Sequence, residues 1–120
     1  MFELSGTRIR LTQGDTGILT VKAKKTDHVF TDADKVVFTV KRRGGAGIIM
    51  ERLLTPEKDG TVQISFLSDM TDTMKPDQYD WDIRYCMNAT VVDGRVTDAD
   101  EVVTPMLPGV FEIVKAVGRV

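Results

Sequence analysis

The chain has 120 residues, 42% of them apolar and 28% charged, with a formal net charge of −2. That is one domain's worth of sequence, able to bury roughly 65% of the unfolded chain's surface without metal or disulfide. The composition lies far from the disordered and collagen-like extremes. The slightly acidic balance gives no electrostatic reason to expect nucleic acid, whose phosphates call for clustered Lys and Arg.

The N-terminal Met1-Phe2-Glu3-Leu4-Ser5-Gly6 has neither a basic region nor an apolar run, so it does not read as a signal peptide,. Gln13-Gly14-Asp15-Thr16-Gly17 then turns the chain into a first alternation, where Leu19, Val21 and Ala23 are separated by Thr20 and Lys22,. A period of two predicts a strand with one buried face. A loop with the single histidine, His28, leads to a second strand through Val36, Phe38 and Val40. That strand ends in Lys41-Arg42-Arg43, a solvated basic end ahead of the glycine-rich turn Arg43-Gly44-Gly45-Ala46-Gly47,.

Lys58-Asp59-Gly60 turns into a third strand, Val62, Ile64 and Phe66. Asp69 to Met74 reads as a short helical turn, with Ser68 placed to cap its first amides and Asp69 near its positive end,. In Met74-Lys75-Pro76-Asp77-Gln78-Tyr79 the spacing resembles a tyrosine corner, whose phenol bonds back to the backbone where a sandwich passes between sheets,. A plain turn with Tyr79 in the core is the alternative, and both give a sandwich. Tyr79 to Tyr85 is the strongest strand, with Trp81 expected near the centre of the core,.

Cys86 is the single cysteine, so no intramolecular disulfide forms, which fits a reducing compartment,. Asp93-Gly94 and Pro108-Gly109 are read as turns,. Val102 to Phe111 is the longest uncharged stretch and carries two prolines; it is far short of the ~20 residues a membrane helix needs. Residues 1–120 therefore read as a single all-β domain, an antiparallel β-sandwich of about 7–8 strands with one short helical turn. The protein is expected to be soluble and not exported by the general secretory route.

The acidic heptad T-D-A-D-K-V-V, Thr31 to Val37, returns as T-D-A-D-E-V-V, Thr97 to Val103. The residues after the two copies differ, Phe38-Thr39-Val40-Lys41 against Thr104-Pro105-Met106-Leu107, which argues against duplication. A calcium loop calls for alternating acidic or amide residues, a sharp-turn glycine and a distal glutamate, and each copy offers Asp-Ala-Asp alone. A split site using Asp32, Asp34, Asp98 and Asp100 is conceivable. The adopted reading is that Thr and Asp form side-chain-to-backbone turns that release the chain into Val-Val strand starts.

Catalytic constellations are thin. A nucleophile pair would have to use His28, with Asp27 beside it. Zinc needs three or four convergent ligands, and the chain has one His and one Cys,. Asp80 and Asp82 point the same way about 7 Å apart, a carboxylate pair in principle, though more simply exposed strand positions. Gly45-Ala46-Gly47 lacks the third glycine and the following helix of a dinucleotide loop. The expectation is a protein without catalytic, metal or cofactor sites and without a small-molecule substrate.

Three segments, taken in order, carry a family resemblance. Ile9-Arg10-Leu11-Thr12-Gln13-Gly14-Asp15-Thr16-Gly17, then Asp77 to Tyr85, then Thr104-Pro105 with Pro108-Gly109-Val110-Phe111-Glu112-Ile113 resemble the N-terminal domain of upper baseplate proteins from phages and prophages of Gram-positive bacteria. The resemblance implies an immunoglobulin-like sandwich that docks onto other tail proteins without catalysis, assembled in the bacterial cytoplasm and located in the virion. Those proteins usually continue into helical or receptor-binding regions, whereas this sequence stops at Val120, so a small tail, baseplate, connector or decoration component is expected.

Its partners would be further copies of itself and other virion proteins, with no nucleic acid and no membrane. Phe2, Leu4, Met106 and Leu107 are the candidate contact residues; the last two serve equally well as loop residues folded over the core. The alternative function is a carbohydrate- or surface-binding sandwich module, with calcium as an option.

Overall fold

The computed structural model describes residues 2–23, 28–45, 47–105 and 108–116. In chain order the elements are β1 (Phe2–Ser5), β2 (Arg8–Thr12), β3 (Gly17–Lys22), β4 (Lys35–Arg42), β5 (Ile48–Leu54) and β6 (Thr61–Phe66). After these come α1 (Ser68–Thr73), β7 (Asp77–Met87), β8 (Thr90–Val92), β9 (Arg95–Asp98), β10 (Glu101–Val103) and β11 (Gly109–Val114). The large sheet runs β1-β2-β11-β7-β4-β5. Because β4 occupies one edge of β7, β11 and β10 share the other, β11 beside Asp77–Trp81 and β10 beside Tyr85–Met87. β3 and β6 form the second layer, and β8–β9 is a separate hairpin.

The alternating apolar residues meet where the two layers face each other. Leu19, Val21, Val62, Ile64 and Phe66 of the small sheet pack against Ile9, Leu11, Val36, Phe38, Val40, Trp81 and Phe111 of the large one in one continuous core. Phe66 is the central contact, its ring centroid 5.7 Å from Phe38 and 5.2 Å from Phe111. Ring pairs in this range add to the area each buries. Trp81 is buried as expected, and its Nε1–H donates to the Thr7 carbonyl at 2.8 Å, reaching past Gly109. A Cβ on Gly109 would collide with that same oxygen, so glycine is a steric requirement here.

The tyrosine-corner expectation is met, since Tyr79 Oη donates to the Lys75 carbonyl at 2.7 Å. At the other end of β7, Tyr85 Oη donates to the Gly60 carbonyl at 2.7 Å and ties the β5–β6 turn to the core. Burial of that phenol pushes its pKa up to about 12,.

Four expectations are corrected. There are eleven strands among the described residues instead of seven to eight, because β1, β8, β9 and β10 are three or four residues long, too short for a readable period. The sandwich is not wholly antiparallel: β2 and β11 pair in parallel, with Ile9 opposite Phe111, and side-chain alternation does not encode strand direction. Ser68 lies inside α1, where its Oγ donates to the Gly14 carbonyl at 2.6 Å; Leu67 is at the N-cap and gives no side-chain cap bond. Gly109 opens β11 and is not part of a turn. Among the described residues no helix is long and apolar enough to cross a membrane.

Candidate functional site

Both acidic heptads lead into strands that flank the same end of β7. Lys35, after Asp34, pairs with Cys86 on one edge, and Glu101, after Asp100, pairs with Met87 on the other. Between them the chain leaves β7 through Asn88, whose φ of 48° is left-handed, a region Asn tolerates better than most residues. Asn88 joins the two heptads: its backbone N–H donates to Asp34 Oδ1 and its Nδ2 donates to Asp100 Oδ2, each at 2.9 Å. Two backbone bonds reinforce the junction, Ala89 N–H to the Ala33 carbonyl and Asp100 N–H to the Met87 carbonyl.

Asp34 is 4% exposed, and both its oxygens are engaged. Oδ2 accepts from the Thr31 N–H at 3.0 Å and from His28 Nε2 at 2.9 Å. Burial disfavours the charged carboxylate, but the Asn88 and Thr31 amides and the His28 imidazole outweigh it and hold the carboxyl below its usual range,. This arrangement is a bracket between loops. Asp32 and Asp98 are exposed, and among the described residues no group of three or more His, Cys, Asp or Glu is placed to hold a metal. His28 has Asp34 as its partner and packs edge-on against Phe30, centroids 4.6 Å apart; Asp27 lies outside the described residues.

Asp80 and Asp82 sit beside Arg43 and Arg84, at 4.0 and 3.6 Å. Cys86 is buried on β7, and burial pushes its thiol pKa up. It lies with Thr39 in a cleft on the outer face of the large sheet, under Val96 of the β8–β9 hairpin. Arg95 of that hairpin reaches Glu51 of β5 at 3.4 Å and holds the hairpin over the sheet.

Of the candidate contact residues, Phe2 turns inward, stacks on Phe66 at 6.1 Å and covers Gly17. Leu4 is 49% exposed on β1, an edge of the large sheet. Met106 and Leu107 lie outside the described residues. Sequence alternation pointed to neither Ile48 nor Ile49, which are exposed at the start of the opposite edge strand, β5. Their position directly after a glycine-rich turn was the available signal.

A groove of about 790 Å³ opens between the β4–β5 hairpin and α1, lined by Arg42, Arg43, Met50, Met70, Lys75 and Tyr79 among others. Seven of the eight aromatic residues are buried and the eighth, Phe2, is packed on the core. The rings that a sugar-binding platform would use are thereby committed to the interior. Neither a scan against protein-family models nor a search of curated proteins found a match for the chain.

Proposed function

We propose that the chain is a non-enzymatic structural protein of a phage or prophage virion, of the tail or baseplate type, acting through protein–protein assembly. The observation that carries this reading is the β5 edge: a full-length edge strand that begins with exposed Ile48 and Ile49. Soluble monomers usually blunt such edges with charge, proline or a bulge, because unpaired backbone groups beside apolar side chains recruit further strands. β5 is itself partly blunted, by a register shift at Ile49 opposite Val40/Lys41 and by the charged Glu51 and Arg52, so the proposed contact is the exposed Ile48–Ile49 pair and not the strand edge as a whole. The virion assignment is supported by the order of the three segments that resemble upper baseplate domains.

Light scattering over a rising concentration series tests the reading. A multimer unaffected by chelator and dissociated by Ile48→Lys with Ile49→Lys is the expected result. A chain monomeric at every concentration, and absent by mass spectrometry from particles released by a lysogen carrying it, overturns the reading.

A further inference from the structure

The groove beside α1 and the two acidic heptads lie at opposite ends of β7. Asp77 and Tyr79, at the start of the strand, line the groove with Arg42 and Arg43. At its finish Lys35 and Glu101, which follow the two heptad turns, pair with Cys86 and Met87. The strand from Tyr79 to Met87 spans about 26 Å.

Unpaired charge is divided between the same two places. In the groove the exposed cations Arg42, Arg43 and Lys75 face one described carboxylate, Asp77. Arg43 is engaged by Gln78 and Asp80, but among the described residues neither Arg42 nor Lys75 has an ion-pair partner. At the heptad end Asp32, Asp98 and Asp100 are exposed. Asp32 and Asp98 likewise have no ion pair among the described residues, and Lys35, the cation beside them, turns its Nζ to Thr55 Oγ1 at 2.8 Å.

The acidic end is already held in shape. Asn88, bonded to Asp34 and Asp100, and Ala89, bonded to the Ala33 carbonyl, lock the heptad turns together, so contact with a partner has little chain left to order. Apolar surface accompanies the charge at both ends. Ile49 lines the groove with Ile48 exposed beside it, and Val29 is exposed next to His28 at the acidic end.

We propose that the groove of one copy receives the acidic heptad end of a second copy, so that copies join head to tail. Arg42 and Lys75 meet Asp32 and Asp98 of the neighbour, and this charge match sets the orientation of the contact. A second copy is favoured over an unrelated acidic chain because both sets of unpaired charge belong to this one sequence. The groove is also continuous, through Ile49, with the Ile48–Ile49 contact proposed above. Since the two joined surfaces differ, the contact is heterologous, closing into a ring or running on as a filament according to the rotation between neighbours. The inference rests on the assembly reading, for which it supplies the arrangement of the copies.

The test exchanges charge between the ends of the full chain, with Arg42→Glu and Lys75→Glu in one variant and Asp32→Lys and Asp98→Lys in the other. Light scattering should find the wild type assembled, each variant alone monomeric, and an equimolar mixture assembled again, since each variant then offers the other a matched end. Wild-type assembly should also weaken at least about tenfold between low salt and 1 M, where the screening length falls to about 3 Å. If a variant fails to fold, Arg42→Gln with Lys75→Gln and Asp32→Asn with Asp98→Asn carry the test. Each of these alone should assemble weakly, and their mixture should stop at a complex of two.

Wild-type assembly strength in either exchanged variant alone, or a mixture that stays monomeric, overturns the proposal. Assembly that survives both exchanges yet is dissociated by Ile48→Lys with Ile49→Lys refutes the head-to-tail contact and leaves the assembly reading standing. A wild-type monomer that binds polyglutamate through Arg42 and Lys75 overturns the proposal by assigning the groove to an unrelated acidic chain.

Discussion

Thr31–Asp34 and Thr97–Asp100 have the same four residue types and lead into strands on opposite edges of β7, yet the protein uses them differently. The first is a closed turn: the Asp34 N–H bonds to the Thr31 carbonyl, Thr31 Oγ1 accepts from Ala33, and Asp34 is buried among three donors. The second begins as strand, with Thr97 and Asp98 closing β9, and Asp100 stays exposed with Asn88 Nδ2 on its carboxylate. Identical local chemistry thus yields a buried bracket on one side and a solvated tether on the other. The difference arises from what each carboxylate meets: His28, packed on Phe30, closes over Asp34, whereas Asp100 follows the β8–β9 hairpin and stays exposed.

The contrast can be broken one side at a time. Asp34→Ala should have the largest effect, about 3 kcal/mol of lost stability in urea unfolding, because it leaves the Asn88 and Thr31 amides and His28 without their acceptor. Acid should do the same reversibly. The folded Asp34 carboxyl titrates below its unfolded value, so its contribution is fully present above about pH 4 and is lost as pH falls through the lower folded value. An Asp34→Asn variant should lack that part of the acid dependence, and identical acid profiles for the two proteins would refute the bracket.

Asn88 comes next. Asn88→Ala should cost about 1–2 kcal/mol by removing the bond to Asp100 and placing a Cβ-bearing residue without a local polar side chain at positive φ. Asn88→Gly relieves the backbone and should recover part of this. Equal losses in the two variants would mean that the Asp100 tether, and not the left-handed φ, sets the cost. Asp100→Ala should have the smallest effect, at or below about 1 kcal/mol, as for other exposed charged contacts. A loss matching that of Asp34→Ala would show the two loops to be energetically equivalent after all.

Much of the scaffold could be read from the chain. Leu19/Val21, Val36/Phe38/Val40, Val62/Ile64/Phe66 and Tyr79 to Tyr85 alternate strongly enough that their buried faces can be assigned from period alone, and all are in the core. The Tyr79 corner was legible because proline, turn and aromatic stand at fixed offsets. The His28–Asp34 pair was missed because proximity in sequence favoured Asp27, while the Thr31–Asp34 turn brings the later aspartate round to the imidazole. Arg52 reads as an ordinary polar residue in a strand, and its place over β6 depends on how far one sheet overhangs the other.

By itself, the sequence determined an all-β sandwich, the faces of its long strands, the central place of Trp81 and the turns at Gly14, Gly60 and Gly94, all of which have positive φ. These depend on side-chain period and local backbone preference, which are carried by neighbouring residues. Tertiary structure alone decided the parallel β2–β11 pairing, the unequal width of the two sheets and the joining of the two heptads through Asn88. Each of these depends on contacts between residues far apart in the chain, where burial and strand order, and not local propensity, choose among conformations that the sequence permits equally.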